Sequence, residues 1–259
     1  MAEFRSWRSY RTFRSAIAHR TRYIHDAEVR EFLDAVLGTH ESRVESIPAD
    51  SVLWRAQLGN DWRPIFDDDG NEITEEPTCY GVARMKPMPD RAHEGRANSK
   101  GIPCLYLATD RDTALAEVRP WVGSLVSVAE FRLKRSVRIV NCTSDDKRLQ
   151  FYLKELLPQE RERVVWLDID RAFSQPVNPS DDVADYVSTQ VLAELFKVNG
   201  LDGIGYRSSV GKGHNIAIFD PALARPVGGM VFHVKSVCLT ADEVCNRCMF
   251  RESDKDSSP

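Results

Sequence analysis

Val29, Phe32, Leu33, Val36 and Leu37 recur at the i, i+3, i+4 spacing of one buried helical face, and Gly38 follows as a stop. The same period returns over residues 182–198, where Val183, Tyr186, Val187, Gln190, Val191, Glu194 and Leu195 hold it and Gly200 closes it. Residues 145–163 are charged and read as a helix broken at Pro158, followed over 164–181 by an irregular connection with Pro176 and Pro179. β-Branched and partly alternating runs predict strands over 51–56, 104–108, 125–133, 137–142, 203–208 and 215–219. Between the first two lies a long polar insertion, 60–90, with Asp67-Asp68-Asp69-Gly70-Asn71 as its tightest turn. Its aspartates lack the ligand alternation and closing glutamate of a calcium loop, so a solvated turn is expected.

Residues 95–120 carry the most chemistry. Gly95 and Gly101 bound a polar loop, an apolar strand follows, and a helix begins at Asp110 or Thr109 as N-cap and ends before Pro120. The loop offers a fixed cation in Arg96, the strand an aromatic hydroxyl in Tyr106, and the helix a carboxylate in Glu117. Ala114, Leu115 and Val118 give that helix a face suited to packing on a sheet. Glu117 therefore lies at the rim of the buried face or inside a cleft.

The 259 residues suffice for one large domain, or one domain with an appendage, and their 42% hydrophobic and 29% charged content is that of an ordinary globular protein. A net charge of −4 supplies no global field toward nucleic acid, and no apolar run approaches a membrane span. Six cysteines without a disulfide pattern or secretory core predict reduced thiols and a cytoplasmic setting. Phe4-Arg5, Trp7-Arg8, Tyr10-Arg11 and Phe13-Arg14 repeat an aromatic–arginine pair every three residues. Such a stretch could stack on bases or serve as a transit peptide; the plainer expectation is a helix with docked rings and solvated arginines.

No G-x-G-x-x-G follows a strand, Gly211-Lys212 lacks the spacing of a P-loop, and there is no H-E-x-x-H. Cys245-Asn246-Arg247-Cys248, even with Cys238, has no second pair at zinc-ribbon spacing, so structural thiols are expected and no metal. What remains is Arg55 directly after Leu53-Trp54, Arg96, Tyr106, Glu117, Ser208-Ser209 and Asn215, all at strand ends or in loops. Arg55 alone could equally be a salt-bridged structural residue. Together the groups suggest a site for a phosphate-bearing ligand.

Leu53-Trp54-Arg55-Ala56, Gly95-Arg96-x-Asn98-x-x-Gly101, Leu105-Tyr106-Leu107-Ala108, Ala114-Leu115-Ala116-Glu117, Gly203-Ile204-x-Tyr206-x-Ser208-Ser209 and Asn215, in that order, resemble the RES-domain family. That family is named for an Arg, a Glu and a Ser. The resemblance covers roughly 47–225 and implies an α/β (α+β) fold: a mixed, largely antiparallel sheet like that of ADP-ribosyltransferases. With the helical pattern before it, the chain is expected to divide into an N-terminal helical appendage (1–46), a RES-like catalytic domain (47–235) and a cysteine-containing tail (236–259).

The resemblance also implies breakdown of NAD+ at the nicotinamide–ribose bond, by phosphorolysis or hydrolysis, often by a toxin paired with an Xre-like antitoxin protein. NAD+ is then substrate rather than cofactor, and inorganic phosphate a co-substrate of the phosphorolytic route. Glu117 would stabilise the positive charge developing on the ribose, Arg55 and Arg96 would hold the pyrophosphate, and Tyr106 would stack on nicotinamide or ribose. Ser208 or Ser209 and Asn215 would bind ribose hydroxyls or phosphate, with Asn98 in the binding loop. An ADP-ribosyltransferase acting on a protein or nucleic acid, and a non-catalytic binding module, are the alternatives. A homo-oligomer is compatible with the sequence; neither a membrane nor, for so acidic a chain, nucleic acid is expected as a partner.

Overall fold

The computed structural model describes residues 3–89, 91–144, 154–175 and 184–241. Two helices open the chain, α1 (Ser9–His19) and α2 (Ala27–Thr39), the second capped by the Asp26 carboxylate, which accepts the Val29 N–H at 2.9 Å. Strands β1 (Val44–Ile47), β2 (Val52–Leu58), β3 (Asp61–Phe66) and β4 (Glu72–Thr78) follow, then the short helix α3 (Val82–Met85), β5 (Leu105–Ala108) and α4 (Arg111–Glu117). The chain continues through β6 (Leu125–Leu133), β7 (Val137–Asn141), α5 (Pro158–Ser174), α6 (Ala184–Val198), β8 (Gly203–Arg207), β9 (His214–Ile218) and β10 (Ala224–His233).

Eight strands form one sheet in the order β1-β7-β8-β9-β5-β2-β6-β10, and only β7 and β8 run parallel. The expected mixed, largely antiparallel α/β architecture is the one observed. One face carries two clusters. At the β7–β8–β9 end, Val140, Ile204 and Ala217 pack with Trp166, Ile169 and Phe173 of α5 and Leu192 and Phe196 of α6. At the β2–β6 end, Ala56, Val126 and Val128 pack with Ala114 of α4. The opposite face forms a third cluster that joins Val137 and Ile139 of β7 to Phe131 and Leu133 of β6, although four strands separate them, so the sheet curls on itself.

Of the aromatic–arginine repeat, Tyr10-Arg11 and Phe13-Arg14 lie in α1, while Phe4-Arg5 and Trp7-Arg8 precede it outside any helix; the docked rings and solvated arginines of the plainer expectation hold throughout. Phe4, Trp7, Tyr10 and Phe13 are buried, while Arg5, Arg8, Arg11 and Arg14 are exposed. Phe13 stacks on Phe32 of α2 with ring centroids 4.4 Å apart, and both belong to the cluster that holds α5, α6 and β8. The boundary expected at residue 46 falls inside β1, which pairs with β7 from Val44↔Val140 to Ile47↔Val137.

Several elements differ from expectation. The irregular connection over 164–181 is, as far as residue 174, the body of α5. Val165, Trp166, Ile169 and Phe173 sit at helical spacing and are fully buried, and Pro158 opens the helix at its first turn rather than breaking it. The insertion over 60–90 contains a two-stranded hairpin, β3 with β4, whose polar residues on both faces hide the strand period. Its turn is set by Asp67, whose carboxylate accepts the N–H groups of Asp69 and Asn71. β10 was masked in the sequence by Pro226, Gly228 and Gly229; an edge strand tolerates these, and its register shifts between Pro226 and Gly228. The Cys245–Cys248 motif and residues 251–259 lie outside the described residues. Among the described residues no helix is long and apolar enough to cross a membrane.

Because α1 shares its core with the sheet, Phe13→Ala should lower the unfolding free energy of the whole protein by roughly 3–5 kcal/mol in a single transition in urea. A loss under about 1 kcal/mol, or a separate early transition for the N-terminal helices, would contradict a continuous core.

Candidate active site

The two clusters on the helical face part over β5 and β2, and the gap is an open cleft of ≈ 230 Å³. Its floor is a row of residues that successive strand pairings place side by side: Tyr206↔Asn215, Asn215↔Ala108 and Ala108↔Trp54. Alternation along β5 puts Tyr106 on the same face as Ala108. The α4 wall supplies Ala114, Glu117 and Val118, and Arg55 completes the lining.

Glu117 lies at the end of α4, a helix fixed at its start by Asp110, whose carboxylate accepts the Thr113 N–H at 2.8 Å. One carboxylate oxygen, Oε1, accepts two hydrogen bonds: from the Ser208 hydroxyl at 2.7 Å and from Asn215 Nδ2 at 2.6 Å. Ser208 Oγ in turn accepts the N–H groups of Val210 at 3.2 Å and Gly211 at 2.8 Å, so its own proton is directed at Glu117. Ser208 and Asn215 are buried, Glu117 is exposed at the cleft, and Oε2 has no partner among the described residues. The carboxylate is thus anchored by one oxygen and open by the other.

The 208–214 loop that carries Ser208 is pinned to the first turn of α4. Gly213 N–H donates to Thr113 Oγ1 at 2.9 Å, Thr113 donates to Asp110, and His214 N–H donates to Thr109. A Cβ at Gly211 would stand 2.7 Å from Thr113 Oγ1, and one at Gly213 would collide with Asp110. These two glycines allow the close approach. One short helix therefore holds the loop at one end and presents Glu117 to it at the other.

Arg55 occupies the place where β2 and β5 splay apart after their single paired position, Trp54↔Ala108. One guanidinium nitrogen donates to the Tyr106 carbonyl at 2.9 Å, while Nε is buried without a partner, and no carboxylate among the described residues pairs with it. Burial lowers its pKa from the usual arginine value, yet a guanidinium of this kind stays charged. An unneutralised, half-buried cation in a cleft invites an anion.

The other expected site residues fall into two groups. Asn98 and Tyr106 hold the 95–101 loop together. Tyr106 Oη donates to Asn98 Oδ1 at 2.6 Å and accepts the Ala97 N–H at 2.9 Å, while Asn98 Nδ2 donates to the carbonyls of His93, Ser99 and Ile102. The Tyr106 ring lines the cleft with its hydroxyl occupied. Arg96 points elsewhere: its guanidinium donates to the carbonyls of Phe173 and Gln175 at the end of α5. Ser209 is exposed in the turn beyond Ser208 and forms no part of the cleft lining.

Three contributors lay outside the expected set. Tyr206 and Trp54 line the cleft, and Gln190 of α6 ties the loop down by donating to the carbonyls of Gly95 at 2.9 Å and Asn98 at 3.1 Å. Tyr206 was legible inside the Gly203–Ser208 motif. Gln190 showed only as a polar residue on an apolar helical face.

Residues 52–233 match the family model of the RES domain. The chain belongs to the RES-domain family. Of the expected residues, Arg55 and Glu117 line one cleft, and Ser208 is held to it by its hydrogen bond to Glu117. A chain in the crystal structure of the M. tuberculosis MbcT-MbcA toxin-antitoxin complex is similar at 12% identity and a TM-score of 0.41, over 76% of this chain and 91% of that one. Comparison with curated proteins finds no match.

Arg96 caps the carboxyl end of α5, where a cation and two satisfied carbonyls stabilise a helix. Arg96→Ala should cost about 1–2 kcal/mol of stability in denaturant unfolding. Unchanged stability would free that guanidinium for a ligand.

Proposed function

We propose that this RES domain degrades NAD+ by breaking the bond between nicotinamide and ribose, and that it serves as the toxin of a toxin–antitoxin or defence system. The observation that carries the reading is the anchored Glu117 carboxylate, one oxygen fixed by Ser208 and Asn215 and the other free, in a cleft with an unneutralised Arg55. NAD+ combines a cationic pyridinium glycoside with an anionic pyrophosphate, and the two protein charges match it. The cleft, at ≈ 230 Å³, is smaller than the roughly 300–1,000 Å³ of a pocket enclosing a whole ligand, and so suits the nicotinamide riboside end.

In the reaction the C1″–N bond breaks and its electron pair leaves with the ring, which passes from pyridinium to neutral nicotinamide. Positive charge moves onto the ribose ring oxygen and C1″. A carboxylate held beside them stabilises that state more than the ground state, where the charge lies on the departing ring. The fixed hydrogen bonds of Ser208 and Asn215 keep Glu117 from swinging away, so little reorganisation is needed as charge develops. Arg55 would meet a phosphate oxygen, either of the dinucleotide or of an incoming inorganic phosphate. The nucleophile then adds to C1″: a phosphate oxygen gives ADP-ribose 1″-phosphate, while water gives ADP-ribose and loses its proton to solvent. The neutral leaving group needs no general acid. The toxin role and an antitoxin partner follow from the family resemblance alone.

Purified protein given NAD+ labelled in the ADP-ribose portion should release nicotinamide, and its products with and without inorganic phosphate identify the acceptor. Glu117→Ala should lower turnover by roughly 10²-fold or more while remaining folded. Unchanged cleavage by that variant would remove Glu117 from the chemistry, and label found on a macromolecule would make the protein a transferase.

A further inference from the structure

The cleft holds two tyrosines, and they are not equivalent. Tyr106 spends its hydroxyl on the 95–101 loop, accepting from Ala97 and donating to Asn98. Tyr206 lines the same cleft, but its hydroxyl has no hydrogen-bond partner among the described residues and is not among the sealed, unsatisfied polar atoms. The ring is held from behind by Phe173, with centroids 5.8 Å apart at 33°, and the residue is 5% exposed. A buried aromatic residue that lines a cleft, its hydroxyl unpaired among the described residues, is a group left for a ligand.

Its neighbours define which part of a ligand it meets. Tyr206 is the cross-strand partner of Asn215, which donates to Glu117. Burial raises the phenol pKa, Arg96 lowers it and the Glu117 charge raises it further, so the hydroxyl remains protonated and acts as a donor at neutral pH. The pairing of Tyr206 with Asn215 sets it near the carboxylate, with Arg96 as the other charge that acts on it.

We infer that Tyr206 contacts the substrate directly, its hydroxyl donating to a hydroxyl oxygen of the nicotinamide-bearing ribose and orienting that sugar against Glu117. The inference rests on the NAD+-cleaving reading above and names a contact within it. A residue that positions the sugar should affect the reaction without affecting the fold, because its hydroxyl makes no hydrogen bond among the described residues that could be lost.

The test is Tyr206→Phe, compared with the wild type for nicotinamide release from NAD+ and from analogues lacking the 2″- or the 3″-hydroxyl of that ribose. The expected result is a fall in kcat/KM of about tenfold to a hundredfold on NAD+, the range for losing one oriented donor. The melting temperature should be unchanged or slightly raised, and the difference between the two proteins should vanish on one of the analogues. A kcat/KM within twofold of wild type would overturn the contact. So would a loss accompanied by a fall of several degrees in melting temperature, or a loss of equal size on both analogues. A wild type that releases no nicotinamide overturns the NAD+ reading itself and this contact with it. A cleaving wild type with an equally active Tyr206→Phe overturns only the contact.

Discussion

Two hydrogen bonds onto a single carboxylate oxygen hold the site together. Glu117 Oε1 is reached by Ser208 from the loop after β8 and by Asn215 from β9, at 2.7 and 2.6 Å. Neither donor is near Glu117 in sequence. Both arrive because β9 pairs with β5, the strand that leads into α4, so the sheet order brings the end of the helix over the β8–β9 connection. Everything that fixes those strands, including the packing of α1 and α2 into the same core as α5 and α6, acts on this one contact.

The division of polar groups follows from it. Arginine and tyrosine are versatile residues, and in this chain each type is used in two ways. Arg96 caps a helix end while Arg55, among the described residues, is left without a counter-charge; Tyr106 closes a loop while Tyr206, among the same residues, is left with an unpaired hydroxyl. The groups already satisfied within the fold are scaffold. Those buried near the carboxylate and unsatisfied are where a ligand gains most, since their desolvation is already incurred in the free protein.

Much of this was legible in the sequence. The strand–helix unit over 104–117, the Asp110 cap, the Gly200 stop and the strands flanking the 208–214 loop all follow from local pattern and turn chemistry. So did the association of Arg55, Glu117, Ser208 and Asn215, through the order of short motifs. Three things were hidden. β10 carries proline and glycines that are tolerated only at a sheet edge, and edges are a property of the assembled sheet. α5 is obscured because a proline in a charged run marks the first turn of a helix as readily as a break. Arg96, a guanidinium between glycines, looks free in the sequence, whereas its partners are main-chain carbonyls about eighty residues away, which no side-chain pattern announces.

The central claim is that the Glu117 carboxylate and the Arg55 guanidinium face opposite charges of one dinucleotide. A crystal structure of the protein bound to a carbocyclic, non-cleavable NAD+ analogue tests it most directly. The account predicts the sugar bearing nicotinamide against the free Glu117 oxygen and an anionic oxygen on Arg55. A nucleotide seated on another face, with Glu117 and Arg55 untouched, would contradict it.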